Sequence, residues 1–79
     1  MIIKVRLFAN LRDYLPPGSD RFSCQIETKD GAVMGDILNR LNIPDDMPKI
    51  ILINGIHSDQ KDLLKDGDVI SVFPPIAGG

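Results

Sequence analysis

A chain of 79 residues, 43% hydrophobic and 25% charged, has the size and composition of one small globular domain. Its net charge of −2, with lysine and arginine dispersed, argues against nucleic acid and anionic membranes as partners. The longest apolar run, residues 50–53, is too short to cross a bilayer, and the N-terminus lacks the apolar segment of a signal peptide. The single cysteine cannot form an internal disulfide, so we expect a cytoplasmic protein.

Two strands are predicted in the first third of the chain. Residues 2–8 place apolar side chains at every second position, which is typical of a strand with one solvated face. Residues 9–20 contain two consecutive prolines and a glycine and predict an irregular connection. Phe22, Cys24 and Ile26 then alternate with polar residues, so we expect a second strand that pairs with the first and carries these three side chains on one face.

An amphipathic helix follows, and its start is poorly marked. Asp30 could cap it, whereas Val33 is a poor capping residue. Gly35 inside the helix costs about 0.5–1 kcal/mol relative to alanine, which suggests close packing at that position. Asn42, ahead of Ile43 and Pro44, should end the helix. The apolar face is defined by the spacing i, i+3, i+4, i+7 of Met34, Ile37, Leu38 and Leu41.

Three further strands are predicted. Residues 50–53 are apolar on both faces, as an inner strand requires, and Asn54-Gly55 is a strong hairpin signal because both residues tolerate positive φ. Residues 56–58 form the short return strand. A polar loop anchored by Leu63-Leu64 and a turn at Asp66-Gly67 lead into the final strand, residues 69–73.

The element order is therefore β-β-α-β-β-β, an α+β layer architecture with one main helix covering one face of a mixed sheet of four to five strands. The predicted elements offer no second helix for the other face. We expect part of that face, near Phe8 and Phe73, to stay open and apolar, which would mark a partner surface.

A catalytic site of the chain's own is not predicted. Cys24 shares a strand face with apolar residues and reads as a core residue, and His57, just after a turn, reads as a surface residue. One histidine and one cysteine cannot make a zinc site, and there is no phosphate-binding glycine loop. The spacing of Asp62, Asp66 and Asp68 does not fit a calcium loop.

The C-terminal tail carries the remaining reactive group. Phe73 ends the last strand, and Pro74 and Pro75 fix φ and favour an extended stem. Ile76 and Ala77 lead to Gly78 and Gly79, which have no side chain to obstruct a narrow channel. The α-carboxylate of Gly79 would be anionic at neutral pH and a poor electrophile, so acyl chemistry there needs activation by another protein, for example as an acyl-adenylate.

The chain resembles the small ubiquitin-like sulfur carriers of the MoaD/ThiS type along nearly its whole length. The segments that carry the resemblance are residues 5–9, 35–38, 53–55, 64–69 and 73–79, the last being the most specific. The resemblance implies a β-grasp domain over residues 1–73 and an extended flexible tail over residues 74–79.

It also implies a function. An E1-like enzyme that uses ATP and Mg²⁺ would adenylate Gly79 and convert it to a thiocarboxylate, while this chain itself binds no cofactor or metal. Gly78 would let the tail enter active sites, and Phe73 matches a position at the partner interface. The diproline tail is most similar to the small subunit of molybdopterin synthase, whose tail, here residues 74–79, inserts into the large catalytic subunit to deliver sulfur.

Three alternatives stay open at this point. The sulfur could serve thiamine, cysteine or tRNA thiolation instead of molybdopterin. The tail could be joined to lysines, as in a ubiquitin-like protein modifier. The domain could also be a β-grasp binding module whose tail is incidental.

Overall fold

The computed structural model describes residues 1–75. The strands are β1 (Ile2–Leu7), β2 (Ser23–Glu27), β3 (Ile50–Ile53), β4 (Ile56–Ser58) and β5 (Val69–Phe73). A 3₁₀ helix, Ala9–Tyr14, follows β1, and the α-helix α1, Met34–Arg40, follows β2. Within the described residues this confirms the predicted element order, with the 3₁₀ helix as an addition.

The strands form one mixed sheet in the order β2-β1-β5-β3-β4. β1 pairs in parallel with β5, and every other pair of neighbours is antiparallel. The parallel β1–β5 pair is possible because a long crossover containing α1 separates them in sequence. This is the β-grasp fold, as the resemblance implied, and it places β5, the strand that leads to the tail, at the centre of the sheet.

The core lies between α1 and one face of the sheet. Strand alternation sends Val5 and Ile70, which are register partners, to this face, where both are fully buried. All four residues of the predicted stripe are buried; the first three lie in α1, and Leu41 is its C-cap. The buried apolar residues are Ile3, Val5, Leu7, Leu11, Cys24, Ile26, Ala32, Met34, Ile37, Leu38, Leu41, Ile43, Ile51, Leu64, Ile70 and Val72.

Helix α1 begins at a residue with no polar side chain. Val33 is the N-cap, and not Asp30, the alternative that the sequence offered; the Asp36 carboxylate accepts the Val33 backbone N–H at 3.0 Å. The next two free N–H groups donate to backbone carbonyls: Met34 to Asp62 and Gly35 to Gln60, both at 2.9 Å. The acceptors that a capping side chain would supply therefore come from a distant loop.

That loop also explains Gly35. A Cβ at this position would lie 3.3 Å from the backbone carbonyl oxygen of Gln60. The predicted close packing is confirmed. Glycine is less favourable than alanine in a helix, but its missing Cβ allows the loop to approach. In the same loop the Leu63-Leu64 anchor is half right, because Leu64 is buried while Leu63 is 66% exposed.

Two sequence-based expectations near the N-terminus are wrong. Residues 9–20 are not wholly irregular, since their first half is the 3₁₀ helix, which buries Leu11. Phe22 does not share the core face with Cys24: it is 41% exposed and precedes β2. The β1–β2 pairing ends at Arg6 and Ser23, so the alternation that placed Phe22 inward no longer applies.

Candidate functional site

The candidate site is the sheet face opposite α1, at the end of β5. Alternation along this strand buries Ile70 and Val72 and sends Phe73 to the open face. Phe73 pairs with Ile50 of β3, which fixes the last residue of β5 in the ladder. Pro74 is half-buried and Pro75 is exposed. The chain therefore leaves the sheet from its centre, between two neighbouring strands.

All three phenylalanines of the chain stand in one row on this face. The rings of Phe8 and Phe73 stack with centroids 4.5 Å apart and planes 6° apart, and Phe8 and Phe22 stack at 5.9 Å. The guanidinium of Arg12 lies 4.9 Å from the Phe22 ring centre, within reach of a cation–π contact. We call Phe8, Phe22, Phe73 and Arg12 the aromatic row.

The aromatic row has a basic border. Arg6 is exposed on the same face, where it lies opposite Ser71 of β5. Arg12 donates from Nε to the carbonyl oxygen of Arg21 at 3.2 Å, which holds two arginines at one end of the row. A hollow of about 330 Å³ between Phe8 and Phe22 is lined by Arg6, Arg21, Asp20 and Ser23 as well. A chain with net charge −2 therefore presents positive charge beside these partly exposed rings.

Phe8 and Phe73 thus lie on the sheet face without a helix, as predicted, but both rings are only partly exposed, and the exposed ring of the row is Phe22, at 41%. Sequence reasoning missed two of its members, Phe22 and Arg12. Phe22 was assigned to the core from its alternation with Cys24, and Arg12 falls in a segment expected to be irregular. Of the predicted site residues, the structure describes Phe73, Pro74 and Pro75; Ile76, Ala77, Gly78 and Gly79 lie outside the described residues, and so does most of the proposed tail.

Cys24 and His57 do not form a catalytic pair. Cys24 is buried on edge strand β2 and His57 is exposed on the opposite edge strand, β4. Four strand spacings separate them, about 19 Å. Within residues 1–75, no group of three or more histidine, cysteine or acidic side chains is arranged to hold a metal ion. No helix in the same span is long and apolar enough to cross a bilayer.

The Cys24 thiol makes the free energy of unfolding depend on pH. Burial raises the pKa of its thiol above the ordinary value of 9.0, because the apolar surroundings disfavour the thiolate. The unfolded chain therefore releases this proton more easily than the folded one. We expect the thiol's contribution to be complete below pH 9.0 and lost as the pH rises through the higher folded pKa.

Urea unfolding of the wild type and Cys24→Ala across this pH range measures the effect. The difference in free energy of unfolding between the two proteins should shrink at alkaline pH. A difference that is the same at every pH would contradict the assignment.

The chain matches the model of the ThiS family over residues 5–79. Curated proteins give no match. Among solved structures, it is similar to a putative molybdopterin converting factor, subunit 1, from Pyrococcus furiosus, with 29% identity, a TM-score of 0.73 and coverage of 95% of this chain and 98% of that one.

Two further structures cover nearly the same span. Small archaeal modifier protein 1 (SAMP1) from Methanosarcina acetivorans has 28% identity and a TM-score of 0.71, covering 99% of this chain and 96% of that one. In a complex of subunits 1 and 2 of the molybdopterin-converting factor from Helicobacter pylori, the matching chain has 25% identity and a TM-score of 0.66, with full coverage of both chains.

Proposed function

The chain belongs to the ThiS family, and on that premise we propose that it is a sulfur carrier whose Gly79 carboxylate is adenylated and then converted to a thiocarboxylate. The observation that carries the proposal is the family match, which runs through residue 79 and includes the whole tail. The fold supports it, because the described part of the stem continues the central strand of the sheet.

The chemistry requires a separate activating enzyme of the E1 type. A Gly79 carboxylate oxygen attacks the α-phosphorus of ATP, the bond to pyrophosphate breaks, and an acyl-adenylate forms. Hydrosulfide then attacks the carbonyl carbon, AMP leaves with the electrons of the C–O bond, and one proton is released. The product is a thiocarboxylate. The enzyme holds ATP and Mg²⁺, and this chain supplies the acyl group and the surface by which it is recognised.

The residues before the tail hold the point where the tail begins in a fixed position. Phe73 is held by the Ile50 pairing and by the stacked Phe8 ring. Pro74 and Pro75 have no backbone N–H to donate, so the ladder of β5 cannot continue through them. We propose that Ile76, Ala77 and Gly78 pass through a narrow channel of the partner, where the absence of a Cβ at Gly78 and Gly79 removes a steric barrier.

The aromatic row is the proposed docking surface for the sulfur acceptor. Partly exposed stacked rings with an arginine beside them match the residue types enriched in the energetic centres of protein interfaces. We propose that the partner presents an apolar centre to the rings and carboxylates to Arg6 and Arg12. The subunit 1–subunit 2 complex from H. pylori supports the large catalytic subunit of molybdopterin synthase as that partner.

The proposed destination of the sulfur is the molybdopterin precursor, in the cytoplasm. It is supported by the names of the P. furiosus and H. pylori proteins. Thiamine, cysteine and tRNA thiolation use the same carrier chemistry and are distinguished by which deficient cells the protein rescues.

A second candidate function is that of a ubiquitin-like modifier, which the similarity to the M. acetivorans modifier protein favours. It predicts an isopeptide bond between Gly79 and lysines of other proteins.

Intact-protein mass spectrometry tests the carrier proposal. The purified chain is incubated with an E1-like enzyme, ATP-Mg and sulfide, and we expect one carboxylate oxygen to be replaced by sulfur. The chain lacking Gly79 is the matched control and should gain no sulfur. Absence of the product from the wild type, with an enzyme that charges its own carrier, would contradict the proposal. Isopeptide adducts in place of the thiocarboxylate would favour the modifier.

A further inference from the structure

The turn between β3 and β4 holds an asparagine in an unusual set of contacts. Asn54 and Gly55 have φ of 52° and 83°, the pair of positive values that a tight two-residue hairpin needs. The Asn54 side-chain amide donates from Nδ2 to Asp68 Oδ1 at 2.9 Å, and its Oδ1 accepts the Val69 N–H at 2.9 Å. A carboxylate only accepts and an N–H only donates, so the orientation of this amide is fixed.

Asp68 connects this amide to the rest of the sheet. It is 8% exposed, and its other carboxylate oxygen accepts the Lys65 N–H at 2.7 Å. Its backbone carbonyl accepts the Lys4 N–H at 3.0 Å, and the Asn54 N–H donates to the Val69 carbonyl at 2.8 Å. The Asn54–Asp68 pair therefore joins the β3–β4 hairpin to the start of β5 and to β1.

We propose that Asn54 is a deamidation site. The folded hairpin protects its side-chain amide from reaction, and the reaction product destabilises the hairpin. In the reaction the backbone nitrogen of Gly55 attacks Asn54 Cγ, the bond from Cγ to the side-chain nitrogen breaks, and ammonia leaves. Water then opens the cyclic imide to aspartate or isoaspartate. Gly55 favours the attack because it has no Cβ to shield its nitrogen.

Protection follows from the two hydrogen bonds of the amide. They hold Asn54 Cγ toward β5 and Asp68, so the group must be released from both partners before it can turn to the Gly55 nitrogen. The reaction is therefore confined to molecules in which the hairpin has opened locally. The deamidation rate should therefore measure how often the hairpin opens.

The product cannot restore the contact. Aspartate at position 54 has no donor for Asp68 and places a second negative charge at the 2.9 Å position that the amide nitrogen occupied. Asp68 is too buried for water to screen this repulsion well. In isoaspartate the backbone also runs through Cβ, at a turn where Asn54 and Gly55 both adopt positive φ. The site is independent of the sulfur-carrier proposal.

Peptide mapping of the wild type tests the protection. The protein is kept at mildly alkaline pH in native buffer and in urea, and the mass gain of amide-to-acid conversion is followed at each asparagine. We expect conversion at Asn54 in urea and a rate about tenfold or more lower in native buffer, because only the opened fraction reacts. Asn10, Asn39 and Asn42, followed by Leu, Arg and Ile, are internal controls. Equal rates at Asn54 in both buffers would overturn the proposal.

Two variants test the role of the Asn54–Asp68 pair. Asp68→Ala, checked for folding by near-ultraviolet circular dichroism, should deamidate faster than wild type in native buffer; an unchanged rate would refute the assigned protection. Asn54→Asp mimics the product and should lower the melting temperature. If Asp68→Ala does not fold, the rate of the wild type at sub-denaturing urea decides instead: it should rise with urea, and a flat profile up to the unfolding transition would count against the proposal.

Discussion

Removal of Gly79 is expected to abolish thiocarboxylate formation and to leave the melting temperature unchanged. The proposed chemistry takes place at the terminal carboxylate, and without Gly79 the acyl group would end one residue short of the activating site. The buried core of the described residues lies between Ile3 and Val72, so the last residue of the chain is not needed to complete it. Mass spectrometry of the charged protein and a thermal melt measure the two effects.

The matched variant is Leu38→Ala, which acts on the domain alone. Leu38 is fully buried at the centre of the α1 face, and its truncation should cost about 2–5 kcal/mol of unfolding free energy. Under conditions where this variant is still folded, it should accept sulfur at the wild-type level. A large drop in melting temperature on deleting Gly79, or loss of charging in folded Leu38→Ala, would show that tail and domain are not separable in this way.

Periodicity predicted β1, β5 and α1 because each buries one face, so that buried residues recur at a regular spacing along the sequence. The stripe Met34, Ile37, Leu38 and Leu41 and the alternation of β5 are of this kind. The start of α1 was not predictable, because its N–H acceptors are carbonyls of Gln60 and Asp62, far along the chain. The 3₁₀ helix was missed because only Leu11 within it is buried, which leaves no period to detect.

The residues of the candidate site were likewise predicted only in part. Phe8 and Phe73 were placed together because the two strands that end at them were both predicted from alternation. Phe22 was misplaced because the end of the β1–β2 ladder, at Arg6 and Ser23, depends on the pairing and not on the residues of β2. The contact of Arg12 with Phe22 was missed for the same reason, because it requires the Phe22 ring to lie outside the core. The function could be proposed from the tail motif because the chemistry of the tail depends on consecutive residues and not on contacts between distant parts of the chain.

Replacement of Phe73 or Phe8 by alanine is expected to weaken binding to the proposed large synthase subunit by about tenfold or more. Each ring lies in a stack on the open face, and removal of a central interface aromatic commonly costs about 2 kcal/mol or more of binding free energy. Calorimetric titration of the two chains measures the dissociation constant. Because Phe8 and Phe73 touch, the loss in the double variant should differ from the sum of the single losses.

Ile56→Ala is the control for this prediction. Ile56 is 70% exposed on edge strand β4, and its register with Ile53 places it on the face opposite the aromatic row. Truncation there removes an exposed apolar side chain without touching the proposed interface, so binding should stay at the wild-type level. Equal weakening by Ile56→Ala and Phe73→Ala would mean that the partner is not selecting the stacked rings. Weakening by Phe73→Ala alone would place the apolar centre of the interface where β5 ends and the tail begins.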